Sequence, residues 1–284
     1  MGDDVKPGRR KGRDRGDPPR TLKHRLTGIG RSRLAFGILA FVAVWGLLAV
    51  GIYALYFAGD GSPEPKTAAI VDQLSLTVPN PDFVKNAGKT LKDAGYTVDY
   101  YPGEEVTVDL YRGLPQPGYD VIIMRVHAGI TREVDSEGTA TDTEYVSLFT
   151  GEPYDETLYP DELSQGRLGK AEYFEGAEPL FGISPDFVTS SMSGEFDGAV
   201  IIMMGCDGLR TTRTAEAFLG RGAQTFVSWS QPVTADHTDA ATERLLHYLL
   251  SEGLPTEEAV SRTMGDVGPD PLLGAELRFL NQGG

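Results

Sequence analysis

Two residues able to act as a nucleophile and a base follow apolar runs of the same kind. Cys206 follows the run AVIIMMG that begins at Ala199, and His127 follows the run DVIIMRV that begins at Asp120. A run of this length that stops at a glycine or a polar residue is typical of a strand buried on both faces of a parallel sheet. Both side chains are therefore predicted at the carboxyl edge of one sheet, where open α/β folds bind ligands.

A thiol beside an imidazole can perform nucleophilic catalysis. Neighbouring strands lie about 4.8 Å apart, so the two side chains can face each other if their strands are adjacent. The imidazole then lowers the thiol pKa or takes its proton during attack, and a helix starting after Cys206 would add its positive end. The amides of Gly129 and Cys206 are the candidate donors to an oxyanion.

Each residue also has a structural interpretation. A lone cysteine after Met-Met-Gly is most often a small buried hydrophobic residue, and a histidine at a strand end can serve only as a hydrogen-bonding group. His237, just past the strand predicted over residues 225–230, is an alternative base. One cysteine with scattered His and Asp residues provides none of the close-spaced ligand pairs of a zinc site, so no metal and no cofactor are predicted.

Charge divides the chain into two regions. Residues 1–33 contain 11 Lys and Arg against 4 Asp and Glu, whereas residues 34–284 contain 15 against 37. The first region lacks hydrophobic periodicity and is predicted to be a disordered basic tail, with nucleic-acid binding as the competing interpretation. The remainder, at a net charge of −22, would repel nucleic acid, so a nucleic-acid partner is not expected.

An apolar segment separates the two regions. Residues 34–58 contain no charged residue, and a 25-residue helix exceeds the roughly 30 Å hydrocarbon core of a bilayer. The segment is predicted to be a single transmembrane helix, followed by a linker at residues 59–65. Since basic residues precede it, the N-terminus is predicted to be cytoplasmic and the acidic domain, residues 66–284, to lie outside the cell membrane.

Strands and helices are predicted to alternate through the acidic domain. This pattern favours an α/β fold, a three-layer sandwich around a mostly parallel sheet. Residues 130–173 interrupt it as an acidic insertion that is expected to overhang the site. Predicted strands span residues 67–76, 96–101, 120–127, 172–183, 199–204 and 225–230, a hairpin spans 131–149, and helices span 81–95, 105–114, 185–193, 214–221, 235–251 and 256–264.

The region around Cys206 resembles a peptidase family. The segment GCDGLRTTRTAEAFLGRGAQTFVSWSQPV, residues 205–233, is similar to the caspase-like cysteine peptidases of the CHAT type. In that family, one strand ends in a small residue, Cys, an acidic residue and a nearby Gly. A helix that ends in Ala-Phe and Gly-Ala follows. The next strand comes just before the sequence Trp-Pro-Val. The likeness covers about residues 66–265 and is strong from 199 to 264. It implies a caspase-like sheet.

The resemblance also implies roles for individual residues. Cys206 would be the nucleophile and His127 the general base, with loops near Asp207, Trp229 and Asp236 shaping the pocket for the residue before the scissile bond. Acidic groups there would suit a basic side chain, although each can equally be a solvated surface acid. The family usually has His followed directly by Gly, whereas this chain has His127-Ala128-Gly129, which leaves an inactive homologue open.

Three functions are compatible with these features. The leading hypothesis is a membrane-anchored cysteine endopeptidase that acts on a peptide or protein substrate. A second is an inactive, membrane-tethered sensor module that binds a peptide or partner in the same cleft. A third is a thiol-dependent hydrolase or transferase of small molecules.

Overall fold

The computed structural model of the protein describes residues 65–134 and 140–283. The predicted basic tail, apolar segment and nearly all of the linker lie outside these residues. Within the described part of the chain, no helix has both the length and the apolar character needed to cross a membrane.

Strands and helices alternate in the described domain as the sequence predicts. The strands are β1 (Thr67–Asp72), β2 (Thr97–Pro102), β3 (Val121–Arg125), β4 (Ala128–Val134), β5 (Ala140–Pro153), β6 (Leu168–Ala171), β7 (Leu180–Ile183), β8 (Val200–Met203), β9 (Thr225–Trp229) and β10 (Leu277–Asn281). The helices are α1 (Pro81–Asp93), α2 (Val108–Gly113), α3 (Pro160–Ser164), α4 (Pro185–Ser190), α5 (Arg213–Gly220), α6 (Ala235–Leu246) and α7 (Thr256–Val267).

The main sheet has six strands in the order β10-β9-β8-β3-β1-β2. All neighbouring pairs are parallel except β9 and β10, which are antiparallel. The predicted, mostly parallel α/β sheet is therefore confirmed. The antiparallel edge strand β10 was not predicted, because its sequence LRFLN is short and mixes polar with apolar residues.

The central strands bury both of their faces. Ile122 and Met124 of β3 belong to one apolar core, whereas Val121 and Ile123 belong to the other. Helices α2, α4 and α5 contribute to the first core, and α1, α6 and α7 to the second. This double burial is the reason that β3 and β8 have unbroken apolar sequences rather than alternating patterns.

A second sheet is formed largely by the predicted insertion. Its four strands have the order β4-β5-β7-β6 with antiparallel pairing, and the predicted hairpin corresponds to β4 and β5. The strand predicted over residues 172–183 is limited to β7, and β6 was not predicted. The insertion therefore has an ordered framework, in which Val146, Leu148 and Leu168 contribute to the first core.

Two predicted strands end earlier than expected. β1 stops at Asp72 and continues as a 3-10 turn over Gln73–Leu76, and β3 stops at Arg125, two residues before His127. Asp72, Gln73 and Arg125 are buried polar residues, and each forms side-chain hydrogen bonds. The hydrogen bonds that satisfy these buried polar groups bend the chain out of strand geometry. Each strand therefore ends before the point that its apolar sequence pattern predicts.

Candidate functional site

The strand ends before His127 and Cys206 are neighbours in the sheet. β3 and β8 pair up to Met124 and Met203, and the Met204 amide donates to the Met124 carbonyl at 2.9 Å. His127 and Cys206 each lie three residues beyond this last pair. The structure therefore brings the two predicted catalytic residues to the same edge of adjacent strands.

Gly205 allows the two strand ends to approach closely. A Cβ atom at this position would lie 2.5 Å from the Val126 carbonyl oxygen and 3.0 Å from Ala128 Cβ. Real Cβ atoms do not tolerate such a distance to backbone, so any other residue would push the segment before Cys206 away from the segment around His127.

His127 is held by contacts on several sides. Its amide donates to Gln73 Oε1 at 2.9 Å, and its Nε2 is hydrogen-bonded to Thr77 Oγ1 at 2.8 Å. The imidazole centroid lies 4.6 Å from that of Tyr173 and 6.1 Å from that of Phe149. Both aromatic residues come from the antiparallel sheet or the loops that connect its strands, so the insertion contributes directly to the surroundings of the imidazole.

The imidazole of His127 is a neutral group at physiological pH. Burial lowers its pKa to about 4, with a further contribution from the positive charge of Arg125. Both effects disfavour the imidazolium form. At neutral pH the ring is therefore unprotonated at one nitrogen, which can accept a proton.

Cys206 is half-buried on the face of the second core. Its thiol donates to the Val233 carbonyl, with Sγ 3.7 Å from the oxygen. Burial raises the pKa of the thiol, and the charges of Asp207 and Asp270 act in the same direction. Cys206 is therefore protonated at neutral pH.

The resting pair is thus a thiol and a neutral imidazole. Within the described residues, the hydrogen bonds of both side chains go to other partners, Val233 and Thr77. Of the two ways in which a histidine can assist a thiol, the site favours proton removal during attack over a stored thiolate–imidazolium ion pair.

The loop after Cys206 takes a sharp turn. Asp207 has a left-handed backbone with φ of 62°, and its amide donates to the Gln231 carbonyl at 3.1 Å. A Cβ atom on Gly208 would lie 2.1 Å from Ser228 Oγ, so the turn packs directly on β9. The helix predicted over residues 214–221 is confirmed and begins at Arg213, seven residues after Cys206.

The two predicted oxyanion donors have different surroundings. Gly129 pairs with Ser147 in the β4–β5 ladder, and the Phe149 amide donates to the His127 carbonyl at 2.9 Å. Because hydrogen-bonded pairs alternate in an antiparallel ladder, the Gly129 amide faces Ser147. The Cys206 amide lowers the pKa of its own thiol. Of the two amides, that of Cys206 is the one beside the thiol.

The predicted specificity residues do not share one surface. Asp207 is buried, its Oδ1 has no hydrogen bond within the described residues, and Arg210 Nη1 lies 3.5 Å from it. Burial raises the pKa of this carboxyl. Trp229 is fully buried and its indole donates to Thr238 Oγ1 at 2.8 Å, whereas Asp236 is exposed at the start of α6.

The alternative base, His237, lies in a different environment. Its Nε2 is 3.2 Å from the Gly268 carbonyl oxygen, and its ring centroid lies 5.4 Å from that of Trp229. These contacts connect α6 to the end of α7. His127 is therefore the better-placed candidate, because its strand is the direct neighbour of the strand before Cys206.

Two residues of the site were not predicted from the sequence. Gln73 and Thr77 follow β1 and contact His127 from the side opposite to β8. Gln73 is fully buried, and its Nε2 also donates to the Thr150 carbonyl and to Tyr173 Oη, at 3.2 and 2.6 Å. The polar pair Asp72-Gln73 at the end of an apolar strand was the one feature of the sequence that could have indicated these partners of His127.

Other sites in the described region are less suited to this chemistry. In the described residues, no group of three or more His, Cys, Asp or Glu side chains is arranged to hold a metal ion. A cavity of about 750 Å³ lies at the opposite, amino edge of the sheet, beside Asp120, Gly198 and Gln224. Neither feature involves Cys206 or His127.

Comparison with known proteins relates the chain to a solved protease structure. No protein-family model matches this chain, and no curated protein matches it. The chain is similar to gingipain R, an arginine-specific cysteine proteinase, with a TM-score of 0.42 and 11% sequence identity. The match covers 72% of this chain and 43% of that structure's chain.

Proposed function

We propose that this protein is a caspase-like cysteine endopeptidase, with Cys206 as the nucleophile and His127 as the general base. The observation that carries the proposal is the equal placement of the two residues, each three positions beyond the paired Met124 and Met203. The close approach of Gly205 to the Val126 carbonyl supports it further. The likeness of residues 199–264 to CHAT-type peptidases points to the same reaction.

In the proposed reaction, His127 takes the thiol proton as the sulfur attacks. Nε2 is engaged by Thr77, and Nδ1 has no hydrogen bond to any residue that the structure describes. Nδ1 is therefore the nitrogen free to accept a proton, which requires that Nε2 carries hydrogen and donates it to Thr77 Oγ1. The neutral state of the imidazole, with its pKa lowered to about 4, meets this requirement.

The remaining steps follow from the same groups. Sulfur attack on the peptide carbonyl forms a tetrahedral oxyanion, which the Cys206 amide can stabilise by donating its N–H. His127 then passes its proton to the leaving amine as the C–N bond breaks, leaving a thioester. Water, deprotonated by His127, hydrolyses the thioester and restores the thiol.

A peptide-cleavage assay tests this proposal. The full chain is incubated with a mixture of unmodified peptides of varied sequence, and the products are identified by mass spectrometry. We expect cleavage by the wild type, at least about a hundredfold less by Cys206→Ala and His127→Gln, and wild-type cleavage by His237→Gln as the matched control. Cleavage that survives in Cys206→Ala, or no cleavage by the wild type, would contradict the proposal.

A second candidate function is a binding module that keeps the fold without catalysis. It is favoured by the observation that the thiol and the imidazole form their hydrogen bonds with Val233 and Thr77 rather than with each other. In this case the wild type and Cys206→Ala would retain the same peptides on the immobilised chain, and none would be cleaved. The assay above therefore separates the two candidates.

The proposal includes a location for the domain. The apolar segment at residues 34–58 would anchor the protein in the cell membrane, with residues 66–284 outside and the basic tail in the cytoplasm. The substrate would then be a peptide or protein that is accessible from the extracytoplasmic side.

A further inference from the structure

Arg125, the last residue of β3, is a fully buried cation in a polar environment. Its guanidinium binds Asp239 through both carboxylate oxygens, with Nε–Oδ1 and Nη2–Oδ2 distances of 2.8 and 2.9 Å. Nη1 donates to Asp72 Oδ1 at 2.9 Å, and Nη2 donates to the Val78 carbonyl at 2.9 Å. Four of the five guanidinium N–H groups are thus used.

These contacts surround the segment that holds His127. Asp72 and Val78 are at the two ends of that segment, and both are bound by Arg125. Between them lie Gln73 and Thr77, the two residues that hydrogen-bond the amide and the imidazole of His127. The fork of Arg125 therefore fixes both ends of a short turn whose interior residues orient the imidazole.

Further contacts fix the two acidic partners. Asn80 Nδ2 donates to Asp239 Oδ2 at 2.8 Å, and Tyr100 Oη donates to Asp72 Oδ2 at 3.1 Å. The guanidinium carbon lies 5.7 Å from the ring centroid of Phe83. With these partners, the cluster connects β1, β3, α1 and α6 beneath the edge of the sheet.

Stability alone does not account for this cluster. Buried ion groups lose hydration, and well-packed apolar side chains of similar volume are often as stabilising or more so. The bidentate geometry instead provides direction, because a planar fork fixes the partners more strictly than apolar packing does. A role in placing a nearby functional group is consistent with that property.

We propose that Arg125 is a positioning residue, which holds the segment from Asp72 to Val78 so that Gln73 and Thr77 keep His127 in place as a neutral base. The role of His127 as a base rests on the proposed peptidase function. The positioning of the imidazole does not, since it can be measured without activity.

The charge of Arg125 acts in the same direction as its geometry. It is the second cause, after burial, of the lowered pKa of His127. Among the described residues, the imidazole also contacts Thr77, Phe149 and Tyr173, of which only Tyr173 is titratable. Burial raises the pKa of the Tyr173 phenol, so that it remains neutral over the range in which a histidine titrates.

Titration of His127 tests the proposal. The full chain, labelled with carbon-13 and nitrogen-15 in its histidines, is followed by NMR from about pH 5 to 9, and His127→Gln identifies the resonance. We expect the wild-type imidazole to remain neutral throughout. In Arg125→Met/Asp72→Asn/Asp239→Asn, which leaves no unpaired buried ion, we expect the midpoint to rise from the wild-type value toward the ordinary histidine value of about 6.5 without reaching it, because burial is the larger cause of the lowered pKa.

The matched control is Arg112→Met. Arg112 also pairs with two acids, Asp109 and Glu162, and lies over an aromatic ring, but it does not contact the segment at His127. We expect this variant to titrate like the wild type. A triple variant with wild-type near-ultraviolet circular dichroism and a His127 that still remains neutral would overturn the proposal.

Arg125→Lys keeps the proposal testable if the triple variant does not fold. Lysine retains the charge but not the fork, so we expect a still neutral imidazole whose nitrogen-15 shifts report a mixture of tautomers instead of one. Unchanged nitrogen shifts would overturn the positioning role. If the tautomer changes but no variant, including the wild type, cleaves peptides, then the peptidase function fails while the positioning of His127 stands.

Discussion

At the scale of single residues, the hydrogen bond between Thr77 and His127 determines which imidazole nitrogen is free. Thr77 is exposed, yet its hydroxyl lies 2.8 Å from Nε2. We expect Thr77→Val to lower kcat/KM roughly fivefold, because a typical hydrogen bond contributes about 1 kcal/mol and its loss allows the wrong tautomer. Kinetics on a peptide found in the cleavage assay would measure this.

The control for that variant is Thr189→Val. Thr189 is also exposed, and its hydroxyl donates to the Asp186 carbonyl, away from the site. It should cleave peptides at the wild-type rate. Equal rates for Thr77→Val and wild type would mean that Thr77 does not select the tautomer.

The lowered pKa of His127 also predicts how stability depends on pH. In the unfolded chain this histidine gains its proton near pH 6.5, whereas in the folded protein it does so near 4. The unfolded state therefore binds more protons between these values, and stability falls as the pH falls from 6.5 to 4. Replacing the imidazole removes this contribution.

Thermal unfolding of wild type and His127→Gln across about pH 4 to 8 tests the prediction. We expect the Tm of the wild type to fall below pH 6.5 by a few degrees more than that of His127→Gln, because each kcal/mol shifts Tm by about 2–4 °C in a domain of this size. His247→Gln, in an exposed position of the π-helical turn His247–Ser251, should behave like wild type. Parallel pH dependence in all three proteins would contradict the assigned pKa.

At the scale of elements, the approach of the β3 and β8 ends depends on Gly205. A Cβ atom there would meet the Val126 carbonyl, so we expect Gly205→Ala to lower the free energy of unfolding by about 1–3 kcal/mol and to reduce cleavage. The control is Gly88→Ala in the middle of α1, where a Cβ atom would have no neighbour within 4 Å. That variant should be about 0.5–1 kcal/mol more stable than wild type.

Urea unfolding measures both glycine variants. The comparison isolates the contact with Val126 from the general effect of adding a methyl group. If Gly205→Ala were as stable as wild type and cleaved peptides normally, the close approach of the two strand ends would be unnecessary for the site.

The elements that sequence patterns predicted best are those buried on two faces. β3, β8 and β9 were recognised because short apolar runs bounded by polar residues or glycine are typical of buried strands, and His127 and Cys206 were found after two of them. The partners of His127 were not found. Gln73 and Thr77 lie about fifty positions away in the sequence, and only the turn after β1 brings them to His127.

Short and polar elements were predicted less well. β6 and β10 mix polar with apolar residues and lack the unbroken apolar run that identified β3, β8 and β9. The placement of Trp229 illustrates a second limit. The resemblance to CHAT-type peptidases implied that Trp229 shapes a pocket, but its packing among α6 and α7 residues depends on contacts that the local sequence does not encode.

At the scale of the whole molecule, the negative charge of the domain predicts a response to salt. Residues 34–284 have 37 acidic against 15 basic residues, so the folded state carries strong self-repulsion. We expect the Tm to rise when the salt concentration is raised from about 0.01 to about 1 M, because the screening length falls from about 30 to about 3 Å. A Tm that did not change would mean that the charges are already balanced locally.

The proposed membrane topology gives a further prediction. Protease added to intact cells should digest residues 66–284 and leave the basic tail protected, because the positive flank of the apolar segment stays in the cytoplasm. An antibody tag at each end of the chain would report the two fragments. A protected C-terminal tag together with a digested N-terminal tag would contradict the orientation.

The equal spacers from Met124 to His127 and from Met203 to Cys206 have a mechanical consequence. Twisting or breathing of the main sheet carries the ends of β3 and β8 together, because the two strands share one ladder. We expect a displacement shared by both strands to change the separation of thiol and imidazole little. The distance between the two reactive groups should therefore depend mainly on the three residues that follow each strand.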